Sequence, residues 1–150
     1  MSEQPKSFTA RLASLVHALF LTVAILHAAL ACIQPLLAGW SLDADGTALD
    51  LHGTNGSFIL TLSMVLFGLG ILWWRPGRGT IWAPLLVVAL FAAETFQLGM
   101  GYADILVIHL PLGVGIVVAS VYLCVLAARR PARGVRAVAA ATAAAGKDLA

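Results

Sequence analysis

Four apolar runs dominate the chain, roughly Leu12 to Ala38, Phe58 to Trp74, Ile81 to Met100 and Ile105 to Ala128. With its flanks, each reaches the roughly 20 residues that an α-helix needs to cross a bilayer. In lipid every backbone N–H and C=O must find its partner within the chain, which leaves helices or a closed barrel. The runs show no strand-like alternation, so the expected fold is an all-α, integral membrane four-helix bundle. Composition agrees. The 150 residues are 61% hydrophobic and 11% charged, against about 45–50% and about 25% in soluble domains.

Charge sets the expected orientation. Lysine and arginine fall at Lys6 and Arg11, at Arg75 and Arg78, at Arg129, Arg130, Arg133 and Arg136, and at Lys147 in the tail, all on one side of a four-pass chain. The positive-inside rule then makes both termini and the "RPGRG" turn cytoplasmic, and sends the segments around Trp40 to Leu51 and Gly101 to Asp104 outward. The chain divides into a lead-in (1–11), the bundle (12–128) and a basic, alanine-rich tail (129–150). The expected home is a bacterial inner membrane, crossed several times. A formal charge of +2 points to no nucleic-acid partner, because the basic residues are accounted for as topology signals and anionic-lipid anchors. Trp73, Trp74 and Trp82 would mark the cytoplasmic interface, and Trp40 and Tyr102 the outer one.

Several functions find no foothold. The first apolar run exceeds the 7 to 15 residues typical of a signal-peptide core, so cleavage near "AALAC" is not expected. Cys32 and Cys124 would lie near opposite faces of the membrane, too far apart to be joined. The acidic loop "SLDADGTALDLH" fails as an EF-hand, since aligning Asp43, Asp45 and Gly46 puts His52 where the bidentate glutamate belongs. No nucleophile elbow, phosphate loop, CxxC pair or zinc-helix signature is present.

What remains is a repeat. "HGTNGSFILTLS" from His52 and "HLPLGVGIVVAS" from His109 share His, Gly, Ile and Ser at offsets 0, 4, 7 and 11, one face of a helix. "QPLLAG" from Gln34 and "QLGMG" from Gln97 precede them. The two halves thus read as parallel-repeat helical hairpins related by an axis along the membrane normal. His52 and His109 would enter from the outer surface at similar depth and face each other. Gly56 and Gly113, one turn below, would leave a slot for a flat ligand. Paired imidazoles on facing helices are how helical bundles hold a six-coordinate haem iron. Gln34, Glu94 and Gln97 converge on the same depth. Glu94 would orient a ligand histidine or relay a proton, or else act as hydrogen-bonded glue with Gln97 or Gln34. His27, with no histidine at its depth on the second and third helices, reads as a hydrogen-bonded core residue. His17 reads as an interfacial ring with no special role.

With its "Q…G…H…G…HxPLG" pattern, the region from Leu12 to Ala128 resembles one four-helix half of haem A synthase, and small four-helix bis-histidine membrane proteins of the same pattern. The resemblance implies that His52 and His109 serve a haem b near the outer face. The family commonly has an arginine after a ligand histidine, where this chain has Gly53 and Leu110. An acidic residue precedes the ligand by one turn in the family's catalytic half, where this chain has Leu49. Haem binding is therefore implied without oxidation of a haem methyl group. Propionates would rely on water, Thr47, Thr54, Asn55 or backbone N–H groups, because no lysine or arginine lies on the outer side.

The expected function is a membrane b-type haem protein for electron transfer or haem handling, working in the lipid bilayer with a redox partner or a membrane protein complex. Two alternatives stand beside it. One is a cofactor-free helical subunit for assembly or interaction, its histidines satisfied by Gln34, Glu94 and Gln97. The other is an outward-facing divalent-metal or proton site using His52, His109 and Glu94.

Overall fold

A computed structural model describes residues 8–43, 46–77 and 79–129. It contains four helices, α1 (Phe8–Ser41), α2 (Gly46–Trp74), α3 (Trp82–Tyr102) and α4 (Leu106–Ala128). All four are long and apolar enough to cross a membrane, and the protein is a multi-pass integral membrane protein. With 21 and 23 residues, α3 and α4 are about 32 and about 35 Å long, close to the hydrocarbon thickness. With 34 and 29 residues, α1 and α2 overshoot it. The residues before Phe8 and the arginine- and alanine-rich tail after Arg129 lie outside the described residues.

Helix α2 starts well before its apolar run, taking "GTALDLHGTNG" into its first three turns. Much of the acidic segment assigned to a loop is thus helical, Asp50 included. Asn, Thr and Asp are weak helix formers, but in a bundle tertiary packing overrides propensity. Pro35 lies within α1 and Pro111 within α4, while Pro84 sits in the first turn of α3, where its missing N–H costs nothing. The α3–α4 connection is tight. Asp104 takes a φ of 54° there, in the left-handed region that aspartate tolerates better than most side chains.

The helices run alternately up and down. Each packs against its two neighbours in the cyclic order α1, α2, α3, α4, and the diagonal pairs α1/α3 and α2/α4 make no close backbone approach. One end of the bundle gathers Gln34, His52, Gln97 and His109, and will be called the Gln–His end. The other, the Arg end, has Arg11, Arg75 and Arg129 nearby. The core towards the Arg end consists of Phe20, Leu66, Trp73, Val87, Leu90 and Leu123 with small alanines between them. Trp73 points into this core, 2% exposed, instead of joining an interfacial belt. Its indole packs on Phe20 and on His17, whose ring stacks at 5.0 Å and 21°. His17 also donates from Nε2 to the Ala127 carbonyl at 2.8 Å, so the ring that the sequence left without a role ties α1 to the end of α4.

Outward faces carry Leu26, Phe58, Leu85, Val114 and Val118. A bundle apolar outside as well as inside is what lipid surroundings require.

Candidate functional site

Each hairpin closes with the same pair of hydrogen bonds. In α1–α2, Gln34 Nε2 donates to the His52 carbonyl at 3.2 Å, and His52 Nδ1 donates to the Gln34 carbonyl at 3.2 Å. In α3–α4, Gln97 Nε2 donates to the His109 carbonyl at 2.8 Å, and His109 Nδ1 donates to the Gln97 carbonyl at 3.0 Å. A carbonyl can only accept, so Nδ1 must carry the proton whenever either imidazole is neutral. Nε2 then presents a lone pair, and among the described residues neither Nε2 has a hydrogen-bond partner.

The glycines one turn below the histidines serve these clasps. A Cβ on Gly113 would stand 2.9 Å from Gln97 Nε2, and one on Gly56 would stand 3.2 Å from Gln34 Nε2 and 3.0 Å from Leu98 Cδ1. The space expected to admit a flat ligand is therefore filled by glutamine amides reaching the opposite backbone. Gly101 adds a contact of the same kind, since a Cβ there would meet the His109 ring at 2.9 Å. The halves differ in one respect. Asn55 donates to Gln34 Oε1 at 3.0 Å and to the Leu30 carbonyl at 2.9 Å, whereas the matching position in α4 is Leu112 and Gln97 Oε1 is buried without a partner.

The clasps bring His52 and His109 together across the α2/α4 diagonal, ring centroids 6.0 Å apart and planes inclined at 54°. Two imidazoles sharing one metal ion through Nε2, at about 2 Å on each side, have centroids roughly 6 Å apart. The centroid separation thus matches that of two imidazoles sharing one ion, and in each ring it is Nδ1 that is engaged by a carbonyl. Among the described residues no group of three or more His, Cys, Asp or Glu side chains is placed to hold a metal ion. The trio of His52, His109 and Glu94 is not assembled.

Glu94 lies elsewhere. It crosses the other diagonal, α1/α3, one turn nearer the Arg end than Gln97. Its Oε1 is 2.8 Å from His27 Nε2, and its Oε2 accepts from Ser63 Oγ at 2.6 Å. Ser63 Oγ is also 3.0 Å from His27 Nε2. His27 and Ser63 are fully buried and Glu94 is 4% exposed. Glu94 therefore neither orients a ligand histidine nor bonds to Gln34 or Gln97, as two of its expected roles required. His27 is the hydrogen-bonded core histidine expected, but its partner is an acid that the sequence had placed with other residues. Ser63 received no role from the sequence, although its match with Ser120 at offset 11 marked its face. Ser120 instead bonds the carbonyl of Ile116 on its own helix. The free cysteines are far from both histidine sites in role, with Cys32 exposed and Cys124 donating to the Ala24 carbonyl at 3.1 Å.

The bundle thus carries two polar levels on its axis, a histidine pair across α2/α4 and a His–Ser–Glu cluster joining α1, α2 and α3, above an apolar floor. No family model, curated protein or solved structure matches this chain.

Proposed function

We propose that the protein is a b-type haem protein of the membrane, in which His52 and His109 would hold the haem iron, serving electron transfer or haem handling. The observation that carries this reading is the 6.0 Å pair of imidazoles, each with Nδ1 committed to a glutamine carbonyl. When bound, such a haem supplies a low-spin iron for one-electron transfer. The chain's own residues hold the ligands ready. The Gln34 and Gln97 carbonyls fix the tautomer and the orientation of each ring, and the two side-chain amides lock each glutamine to the helix bearing its histidine. Gly56 and Gly113 permit that approach.

In this reading the two matching clasps are the remnant of a parallel hairpin repeat. The Gln–His end faces outward and both termini are cytoplasmic, because Arg11, Arg75 and Arg129 gather at the opposite end. A bacterial inner membrane suits this arrangement, with a redox partner docking at the outer end. Purified protein from haem-replete cells should show the absorption spectrum of a six-coordinate, low-spin b-type haem. Haem-free protein that cannot be reconstituted sinks the proposal.

One observation favours a second reading, a cofactor-free bundle that serves as an assembly or interaction subunit. The clasps satisfy both Nδ1 atoms and fill both glycine spaces with protein atoms. The same spectrum separates the two readings.

A further inference from the structure

Along the outer seam between α3 and α4, at the Arg end, runs an open groove of about 280 Å³ lined by Trp82, Leu85, Leu86, Ala89, Tyr122 and Leu126. Its α3 residues recur at the spacing of one helix face, and its two α4 residues are four apart. Leu86 and Leu126 form the floor, since both are half-buried and packed on the core. Trp82, Leu85 and Tyr122 form the walls, each at least half exposed. The volume falls just under the roughly 300 Å³ at which pockets for whole small molecules begin. The groove is long for that volume, because the step from Trp82 to Ala89 covers about 10 Å of helix. Such a trough suits one hydrocarbon chain.

Charge at its mouth is of one sign. Arg129 is exposed, and its N–H still bonds the Val125 carbonyl at 3.3 Å, so Tyr122, Leu126 and Arg129 follow one face of α4. Among the described residues the acidic side chains are Asp43, Asp50, Glu94 and Asp104, none of them at the Arg end. From that end inward, the α3/α4 seam therefore offers a cation, an exposed indole and an apolar trough. A phospholipid presents headgroup, interface and acyl chain in the same order.

Other occupants fit this charge less well. A second copy in the same membrane orientation brings its own Arg129 to the same level, and the tail beyond Arg129 carries Arg130, Arg133 and Arg136. Like charges oppose both.

From this arrangement we infer that the groove binds an acyl chain of one anionic phospholipid, whose headgroup is held by Arg129. The inference does not depend on haem.

Native mass spectrometry of the full chain in detergent, titrated with phosphatidylglycerol or with phosphatidylcholine of the same acyl chains, tests it. Wild type should bind one phosphatidylglycerol about fivefold more tightly than phosphatidylcholine, the ratio that corresponds to one arginine beside an anionic headgroup. Arg129→Gln should bring that ratio to about one, because only the headgroup contact is lost. Ala89→Phe fills the trough and should abolish retention of either lipid, whereas Val65→Phe, at an exposed site on α2, should change neither. If Ala89→Phe fails to fold, the ratio in Arg129→Gln decides. Equal binding of the two lipids by wild type, a preference that survives Arg129→Gln, retention of lipid by folded Ala89→Phe, a lipid-free dimer, or no bound lipid because the tail covers the groove would each overturn the inference.

Discussion

Gln97 and His109 are bound to each other twice, amide to carbonyl at 2.8 Å and imidazole to carbonyl at 3.0 Å, and Gln34 repeats the arrangement with His52. Each bond joins one side chain to the other residue's backbone. Changing the glutamine side chain thus removes one bond and leaves the histidine's own bond in place, so a ligand geometry and a structural tie can be separated by mutation.

Gln97→Ala should destabilise the bundle by about 1 kcal/mol, the net worth of a neutral hydrogen bond, while leaving His109 in the same tautomer. Gln34→Ala should cost more, because it also strips Asn55 of an acceptor. Unfolding in mild detergent, followed by circular dichroism, measures the order of the two. Equal or smaller loss for Gln34→Ala would show that Asn55 is satisfied by Leu30 alone.

Gly113→Ala puts a Cβ 2.9 Å from Gln97 Nε2, whereas Gly115→Ala meets nothing within 4 Å. Alanine in a helix gains up to about 1 kcal/mol over glycine, so Gly115→Ala should stabilise and Gly113→Ala should not. In a Gln97→Ala background, Gly113→Ala should recover the gain. A double-mutant cycle reads this coupling. Additivity would mean that the glycine does not seat the amide.

If the protein holds haem as proposed, His52→Ala or His109→Ala should convert a low-spin haem spectrum to a high-spin one or abolish it, since each removes one of the two imidazoles that would hold the iron. His17→Ala should leave the spectrum intact yet lower thermal stability, because it breaks the Nε2 bond to Ala127 and the stack on Trp73. A normal low-spin spectrum in the double mutant of His52 and His109 would move the iron elsewhere.

Orientation is tested by thiol labelling in a variant with Cys32 and Cys124 replaced by alanine. A membrane-impermeant maleimide should reach Asp43→Cys from outside in intact cells, and Arg75→Cys only after permeabilisation. Labelling of both from one side would contradict a shared end for the two histidines, since it would place opposite ends of α2 on the same face.

Hydrophobic run length and charge placement along the chain were enough to determine four membrane-spanning helices, and the spacing of glutamine, histidine and glycine was enough to mark His52 and His109 as a matched pair. Both are one-dimensional properties. Run length sets whether a helix can span lipid, and helical period sets which residues of one helix share a face. Tertiary structure alone decided which faces meet. These helices are apolar on every side, so no hydrophobic face in the sequence says how far each is rotated about its axis. Rotation was settled by close packing, including glutamine amides over Gly56 and Gly113 and Phe20 against Trp73. That packing carries Glu94 across the bundle to His27 and Ser63, away from the pair formed by His52 and His109.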